Sequence, residues 1–210
     1  DPTDLVSELL EHTPVVLEEF LDLTCEVAIS VVTARDGSAL AYPFVETVQR
    51  NGMCETVNVP SSLSPDQVAA ATQLATKVAS LVGAVGIVAI ELFVTEKGIV
   101  INEVATRPHN SGHWSIEGAE TSQFANHLRA VGGLPLGATS PRAPFITMIN
   151  VVGAEHEPAW KELTALEGVH VHHYRKENRP GRKLGHVTIL SDDESRHAQR
   201  VRDVRNVLGI

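Results

Sequence analysis

A chain of 210 residues with 43% hydrophobic content is long enough for one large domain or two small ones with a real core. It contains no run of about 18 apolar residues, which excludes a transmembrane helix, and its start, Asp1-Pro2-Thr3-Asp4, has neither the basic nor the apolar region of a secretory leader. The net charge of -9 disfavours general nucleic-acid binding, and the two cysteines, Cys25 and Cys54, argue against a disulfide framework and for the reducing cytoplasm.

The pattern along the chain predicts a short helix over Asp4 to Glu11 with Leu5, Leu9 and Leu10 on one face, then an extended segment from Val15. Cys25 to Thr33 is rich in β-branched residues and predicts a strand. Arg35-Asp36-Gly37-Ser38 is a turn, Ala39 to Phe44 the returning strand, and Glu55 to Val59 a third. Ser64-Pro65-Asp66-Gln67 carries a capping box and a proline at the first helical position. The helix it opens has Leu74, Val78, Leu81 and Val82 as its stripe and stops at Gly83. Strands follow at Ile87 to Val94 and Ile99 to Val104. A helix over Thr121 to Val131 turns Phe124, Leu128 and Val131 inward. Pro135 to Pro144 reads as a linker. Beyond it the pattern predicts a strand at Phe145 to Val152, a short helix near Pro158 to Leu166, and strands at Val169 to Tyr174 and Leu184 to Leu190. A second capping box, Ser191-Asp192-Asp193-Glu194, opens a last helix with Val201, Val204 and Leu208 inward. The order of elements is that of an α+β protein.

The hairpin Ile90 to Glu103 is the most informative feature. A three-residue loop, Glu96-Lys97-Gly98, with Gly98 in the left-handed position, pairs Thr95 with Ile99 and so sets Glu91 opposite Glu103. Opposed carboxylates on an apolar hairpin repel each other. A magnesium ion carrying nucleotide phosphates would relieve that conflict, because it takes one or two protein carboxylates plus phosphate oxygens. On pattern alone an alternative stays open, in which one of the two glutamates faces solvent or pairs with an arginine. The next segment, Arg107-Pro108-His109-Asn110-Ser111-Gly112-His113-Trp114, is a poor core and a poor strand, and reads as a ligand-binding loop. Arg175, Lys176, Arg179, Arg182 and Lys183 crowd into one short stretch and suggest a local anion site in an acidic protein.

Ile101 to Trp114 resembles the signature of the N5-carboxyaminoimidazole ribonucleotide synthetases, the ATPase subunits of phosphoribosylaminoimidazole carboxylase. Glu18-Glu19-Phe20, Thr121-Ser122-Gln123-Phe124 with His127-Leu128-Arg129-Ala130, and Arg179 to His186 agree with it. The resemblance implies an ATP-grasp fold over residues 1–143, as the C-terminal part of that fold, followed by a small, mostly β domain over 144–210. It implies ATP and Mg2+ as cofactors, and bicarbonate and aminoimidazole ribonucleotide as substrates joined through carboxyphosphate. It also implies a cytoplasmic homodimer with no nucleic-acid or membrane partner.

By the same resemblance, Glu18, Glu19, Phe20 and Leu21 hold adenine, Glu26 the ribose, and Gln49 lies on the nucleotide side. Glu91 and Glu103 ligate the metal, with Glu103 and Asn102 beside the phosphates. Arg107 and Lys183 are catalytic, while His109, Asn110, Ser111, Arg179, Arg182 and His186 receive the ribonucleotide. Arginine suits a planar oxyanion because its donors form a rigid fork.

The sequence departs from the family in places. Gln49 stands where a histidine is expected, and Ala105 supplies no third oxygen ligand. The family's N-terminal domain, glycine-rich loop and phosphate-binding lysines are not in the sequence; before Glu91 only Lys77 occurs, mid-helix. The expectation is a chain that starts just after that loop and does not turn over alone. His170, His172 and His173 read as half-exposed strand positions, His12, His156 and His197 as surface residues, and Trp160 as a core or interface aromatic. Two further readings are an ATP-grasp transformylase with another acceptor and a non-catalytic structural or dimerisation module.

Overall fold

The structure is a computed structural model that describes Ser7, Leu10 and residues 14–210. The helix expected over Asp4 to Glu11 lies outside the described residues, apart from Ser7 and Leu10, and so does His12. From Pro14 to Thr24 the chain follows no regular element.

The strands are β1 (Cys25–Thr33), β2 (Ala39–Ala41), β3 (Val45–Arg50), β4 (Met53–Val59), β5 (Gly86–Thr95), β6 (Gly98–Ala105), β7 (Phe145–Val152), β8 (Val169–His173) and β9 (Lys183–Ser191). The helices are α1 (Pro65–Val82), α2 (Ser115–Gly118), α3 (Gln123–Val131), α4 (Trp160–Ala165) and α5 (Glu194–Leu208). Among the described residues all strands join one nine-stranded sheet in the order β6-β5-β1-β3-β4-β7-β9-β8, with β2 beside β1. Every pairing is antiparallel. The α+β class and most element bounds agree with the sequence reading. The returning strand does not: Ala39 to Phe44 splits, because Pro43 offers no N–H to a ladder, and a strand the pattern did not mark, β3, begins at Val45.

Alternation along β1 separates two faces. Val27, Ile29 and Val31 pack with Val88 and Ile90 of β5 under Ala71, Ala75 and Ala79 of α1. Ile149, Val151, Val187 and Ile189 continue that face under Leu163 of α4 and Val204 of α5. Ala28 and Val32 look the other way, toward Val45, Val57, Ile87, Ile146, Met148 and the indole of Trp114. This second face carries the candidate site.

Four expectations about helices need correction. Alanines line the inner side of α1; Leu74 and Val78 only flank it, and Leu81 is 78% exposed. Small residues win there because they let the helix backbone approach the sheet. In α3 the inward residues are Gln123, Asn126 and Ala130, while Phe124, Leu128 and Val131 are exposed. The amides point inward because they satisfy buried backbone: Asn126 donates to Gly137 O (3.0 Å) and accepts from Gly137 N (2.8 Å). The same bonds tie the supposed linker down, together with Glu120 N to Ser140 O and Arg142 N to Gly118 O. The cap of α5 is Asp193, whose carboxylate accepts from Arg196 N at 2.7 Å; Ser191 instead ends β9 and accepts from Asp193 N. Finally, His197 is half-buried beneath α5, within 2.8 Å of the Thr147 hydroxyl, rather than at the surface.

Trp114 fills the centre of the site-face cluster at 1% exposure and meets Tyr42 edge-on. Trp114→Ala is expected to cost about 3–5 kcal/mol of folding stability, read as a lowered urea midpoint with unchanged slope.

Candidate active site

The Glu91 and Glu103 carboxylates stand opposite each other on adjacent strands, but not by the route the loop length suggested. The turn is tighter: Thr95 pairs with Gly98, then Leu92 with Ile101. A β-bulge at Asn102 shifts the register by one residue and brings Glu103 opposite Glu91. Gly98 does take a positive φ, +137°, as its turn position requires. Both carboxylates reach one partner. His109 Nδ1 lies 3.2 Å from Glu91 and its Nε2 lies 3.6 Å from Glu103, so the two side chains share a face. Glu103 is half open to solvent while Glu91 is largely enclosed.

After β6 the chain crosses the sheet as a strap. His109 sits over β5 and β6. Asn110 exchanges hydrogen bonds with the Asn150 amide of β7 (2.9 and 2.8 Å) and accepts one from Lys183 Nζ of β9 (3.3 Å). His113 lies 5.2 Å from the His186 ring, and Glu117 of α2 meets His172 Nε2 of β8 at 2.7 Å. Ser111 is buried, within 3.1 Å of His109 Nδ1. The strap therefore connects the carboxylate pair at one end of the sheet to the cations at the other.

The remaining expected residues divide. Glu26 on β1 joins the cluster: burial raises its pKa, a Gln49 hydrogen bond opposes this, and Glu91 adds to it. Gln49 thereby takes a place beside Glu26 as hydrogen-bond donor. Asn102 is the exposed bulge residue next to Glu103. Arg107 is exposed and donates to Pro108 O at 3.2 Å. Arg179 and Arg182 stay at the rim, the first paired with Glu177 (2.6 Å) and the second donating to Glu177 O (3.4 Å), whereas Lys183 turns inward. Glu18, Glu19, Phe20 and Leu21 lie in the irregular segment before β1, with Phe20 92% exposed.

Asn150 and Cys54 of this wall were not singled out from the sequence as site residues. Asn150 was readable as one amide inside an apolar strand. Cys54 faces Lys183, Glu91 and Glu26, and burial pushes its thiol up to about 11, so it remains a neutral group there. His172 does more than occupy a half-exposed strand position, since it stacks on His186 at 4.4 Å. Trp160, read as a core or interface aromatic, packs against the third apolar cluster and stacks on His173.

The carboxylate pair suits a hard divalent cation. Among the described residues no group of three His, Cys, Asp or Glu side chains is arranged to hold a metal, so further ligands would come from phosphate oxygens or water. Among those residues, too, no helix is long and apolar enough to cross a membrane.

One sheet face thus carries opposed carboxylates and a strap that continues from them to a lysine, and the chain belongs to the ATP-grasp family, whose domain model matches residues 2–124. The phosphoribosylaminoimidazole carboxylase C-terminal domain matches residues 147–200. Within the family the chain is similar to N5-carboxyaminoimidazole ribonucleotide synthases. The Mycobacterium leprae protein of that name is 44% identical over 200 residues, 90% of this chain and 46% of the relative. The Thermus thermophilus synthetase structure is 39% identical with a TM-score of 0.85, covering 90% of this chain and 52% of that one. An Aspergillus clavatus synthase in complex with ADP and 5-aminoimidazole ribonucleotide is 32% identical with a TM-score of 0.90, covering 98% and 57%. The chain spans about half the length of the curated relatives it matches.

Burial holds His113 and His186 neutral, at about 4 and about 3, with neighbouring histidines adding to the effect. Both values lie below the ordinary 6.5, so the unfolded chain binds protons that the fold refuses. Their contribution to stability is whole above about pH 6.5 and is lost as pH falls through about 4 and then about 3. Urea denaturation across this window should show that decline, and His186→Gln should flatten it.

Proposed function

We propose that the chain forms one wall of the active site for the ATP-dependent carboxylation of 5-aminoimidazole ribonucleotide by bicarbonate, giving N5-carboxyaminoimidazole ribonucleotide through carboxyphosphate. The observation that carries this reading is the strap. Through His109 and Asn110 it links the Glu91–Glu103 pair to Lys183, as a reaction that joins a nucleotide phosphate to a second, anionic substrate requires. The similarity to synthases, including one solved with ADP and the ribonucleotide, supports it.

In this reading Glu91 and Glu103 hold magnesium, which when bound neutralises charge on the phosphates. Asn102, on the bulge, lies beside those phosphates. Glu26, steadied by Gln49, accepts the ribose hydroxyls, and Glu18, Glu19, Phe20 and Leu21 border adenine. Arg107 offers its fork to bicarbonate and the acyl phosphate. Lys183 brings a cation to the place where His109, Asn110, Ser111 and His186 face the ribonucleotide, with Arg179 and Arg182 at the phosphate rim. Catalysis of this kind is positioning plus cations on developing charge. A cytoplasmic location fits the two free cysteines. A homodimer belongs to the same reading, with the outward Phe124, Leu128 and Val131 as apolar surface available for it. A domain boundary near residue 143 belongs to the same reading; the two family models match residues 2–124 and 147–200, and one sheet runs unbroken between the two regions.

Titration calorimetry with magnesium-ATP and with the ribonucleotide tests the assignment. Lys183→Met is expected to weaken ribonucleotide binding by roughly 10–100-fold, the loss of one charge-assisted hydrogen bond. Glu91→Gln should weaken magnesium-dependent nucleotide binding by a similar factor. Binding of neither ligand by the unsubstituted chain would favour a structural module instead.

A further inference from the structure

Gln123, the first residue of α3, is fully buried, and its amide is spent entirely on the strap. Its Oε1 accepts from His109 N (3.0 Å), and its Nε2 donates to His109 O (2.7 Å). The side chain thus pairs with one residue's backbone as a neighbouring strand would. The second Nε2 hydrogen has one place to go, His113 Nδ1 at 3.0 Å. The amide's orientation is not free: a backbone N–H can only donate, so Oε1 must face His109 N, and Nε2 must then be the donor toward His113. His113 is accordingly the neutral tautomer with its proton on Nε2.

The position of Gln123 is itself fixed. Its backbone N donates to Ser115 Oγ (2.9 Å), and that hydroxyl donates to Gly112 O (2.6 Å). A Cβ on Gly112 would collide with Gln123 Oε1, so the close approach needs glycine there. These bonds close a ring around the strap, and the two residues that reach the candidate site, His109 and Asn110, leave from its rim.

We propose that Gln123 is a positioning residue of this site: by clamping both backbone groups of His109 and the ring of His113, it sets where His109 stands between Glu91 and Glu103 and where Asn110 meets Lys183. The site's function rests on the reading above; the clamp itself does not. No atom of Gln123 faces substrate in this account, and its influence passes through His109 and Asn110.

The test uses the whole chain in two arms. In the unsubstituted protein, nitrogen-15 NMR of the histidines should show His113 with a bare Nδ1, coupled across a hydrogen bond to the Gln123 side-chain amide. A protonated Nδ1 overturns the clamp, and this arm needs no variant to fold. In the second arm, Gln123→Met keeps length without polar atoms. Core methyl signals should persist while His109 and Asn110 signals move, and ribonucleotide affinity should fall about tenfold or more. Wild-type signals at His109 and Asn110, or wild-type affinity, in the folded variant overturn the proposal. If the unsubstituted chain binds no ribonucleotide, the functional reading falls while the NMR arms still decide the clamp.

Discussion

The antiparallel ladder between β4 and β7 is the joint on which the arrangement turns. Its pairs run from Thr56 with Ile149 to Val59 with Ile146, and they make one sheet of segments far apart in the chain. Glu26 and Glu91 on one side of that joint, and Asn150 and His186 on the other, share a face because strand alternation is carried across it in register, and Lys183 joins them through a register shift between Val151 and Val152 in the β7–β9 ladder. A slip of one residue would turn Asn150 away to the helix-covered face and put Ile149 or Val151 beneath Asn110.

A polar wall on a buried sheet face is costly unless its groups are paired. Here the pairing is done by amides. Asn110 and Asn150 answer each other, Gln123 answers His109, and Asn126 answers Gly137 and the Tyr42 hydroxyl. An amide suits this task because it donates and accepts at once without bringing a charge. The atoms left without a partner among the described residues include His186 Nε2 and Glu117 Oε2. Both belong to groups at the β8–β9 end of the strap, where His172 stacks on His186 and bonds Glu117.

The carboxylate pair shows how far a sequence reading can be right in outcome and incomplete in cause. A three-residue loop pairing Thr95 with Ile99 and a tighter turn followed by a bulge at Asn102 lead to the same opposition of Glu91 and Glu103. The turn was legible from Gly98 but its length was not, and the bulge leaves no mark in hydrophobic alternation, since Ile101, Asn102 and Glu103 all lie on an exposed edge strand. Helix α3 failed differently. Its apolar residues were assumed to face inward, whereas buried backbone groups demanded amides, and that demand exists only once the strap and the Pro135–Pro144 segment are in place.

What the sequence by itself determined was local or carried by long motifs. The capping box at Ser64, the glycine stop at Gly83, the bounds of β1 and β7, and the family resemblance from Ile101 to Trp114 all rest on neighbouring residues. Tertiary structure alone decided which residues meet across distance. Lys183 turns inward while Arg179 and Arg182 stay at the rim, Cys54 and Asn150 join the wall, and Gln123 holds the strap. The physical reason is that burial and hydrogen-bond satisfaction are properties of the assembled sheet, and a residue's neighbours along the chain do not state which groups will be left needing a partner.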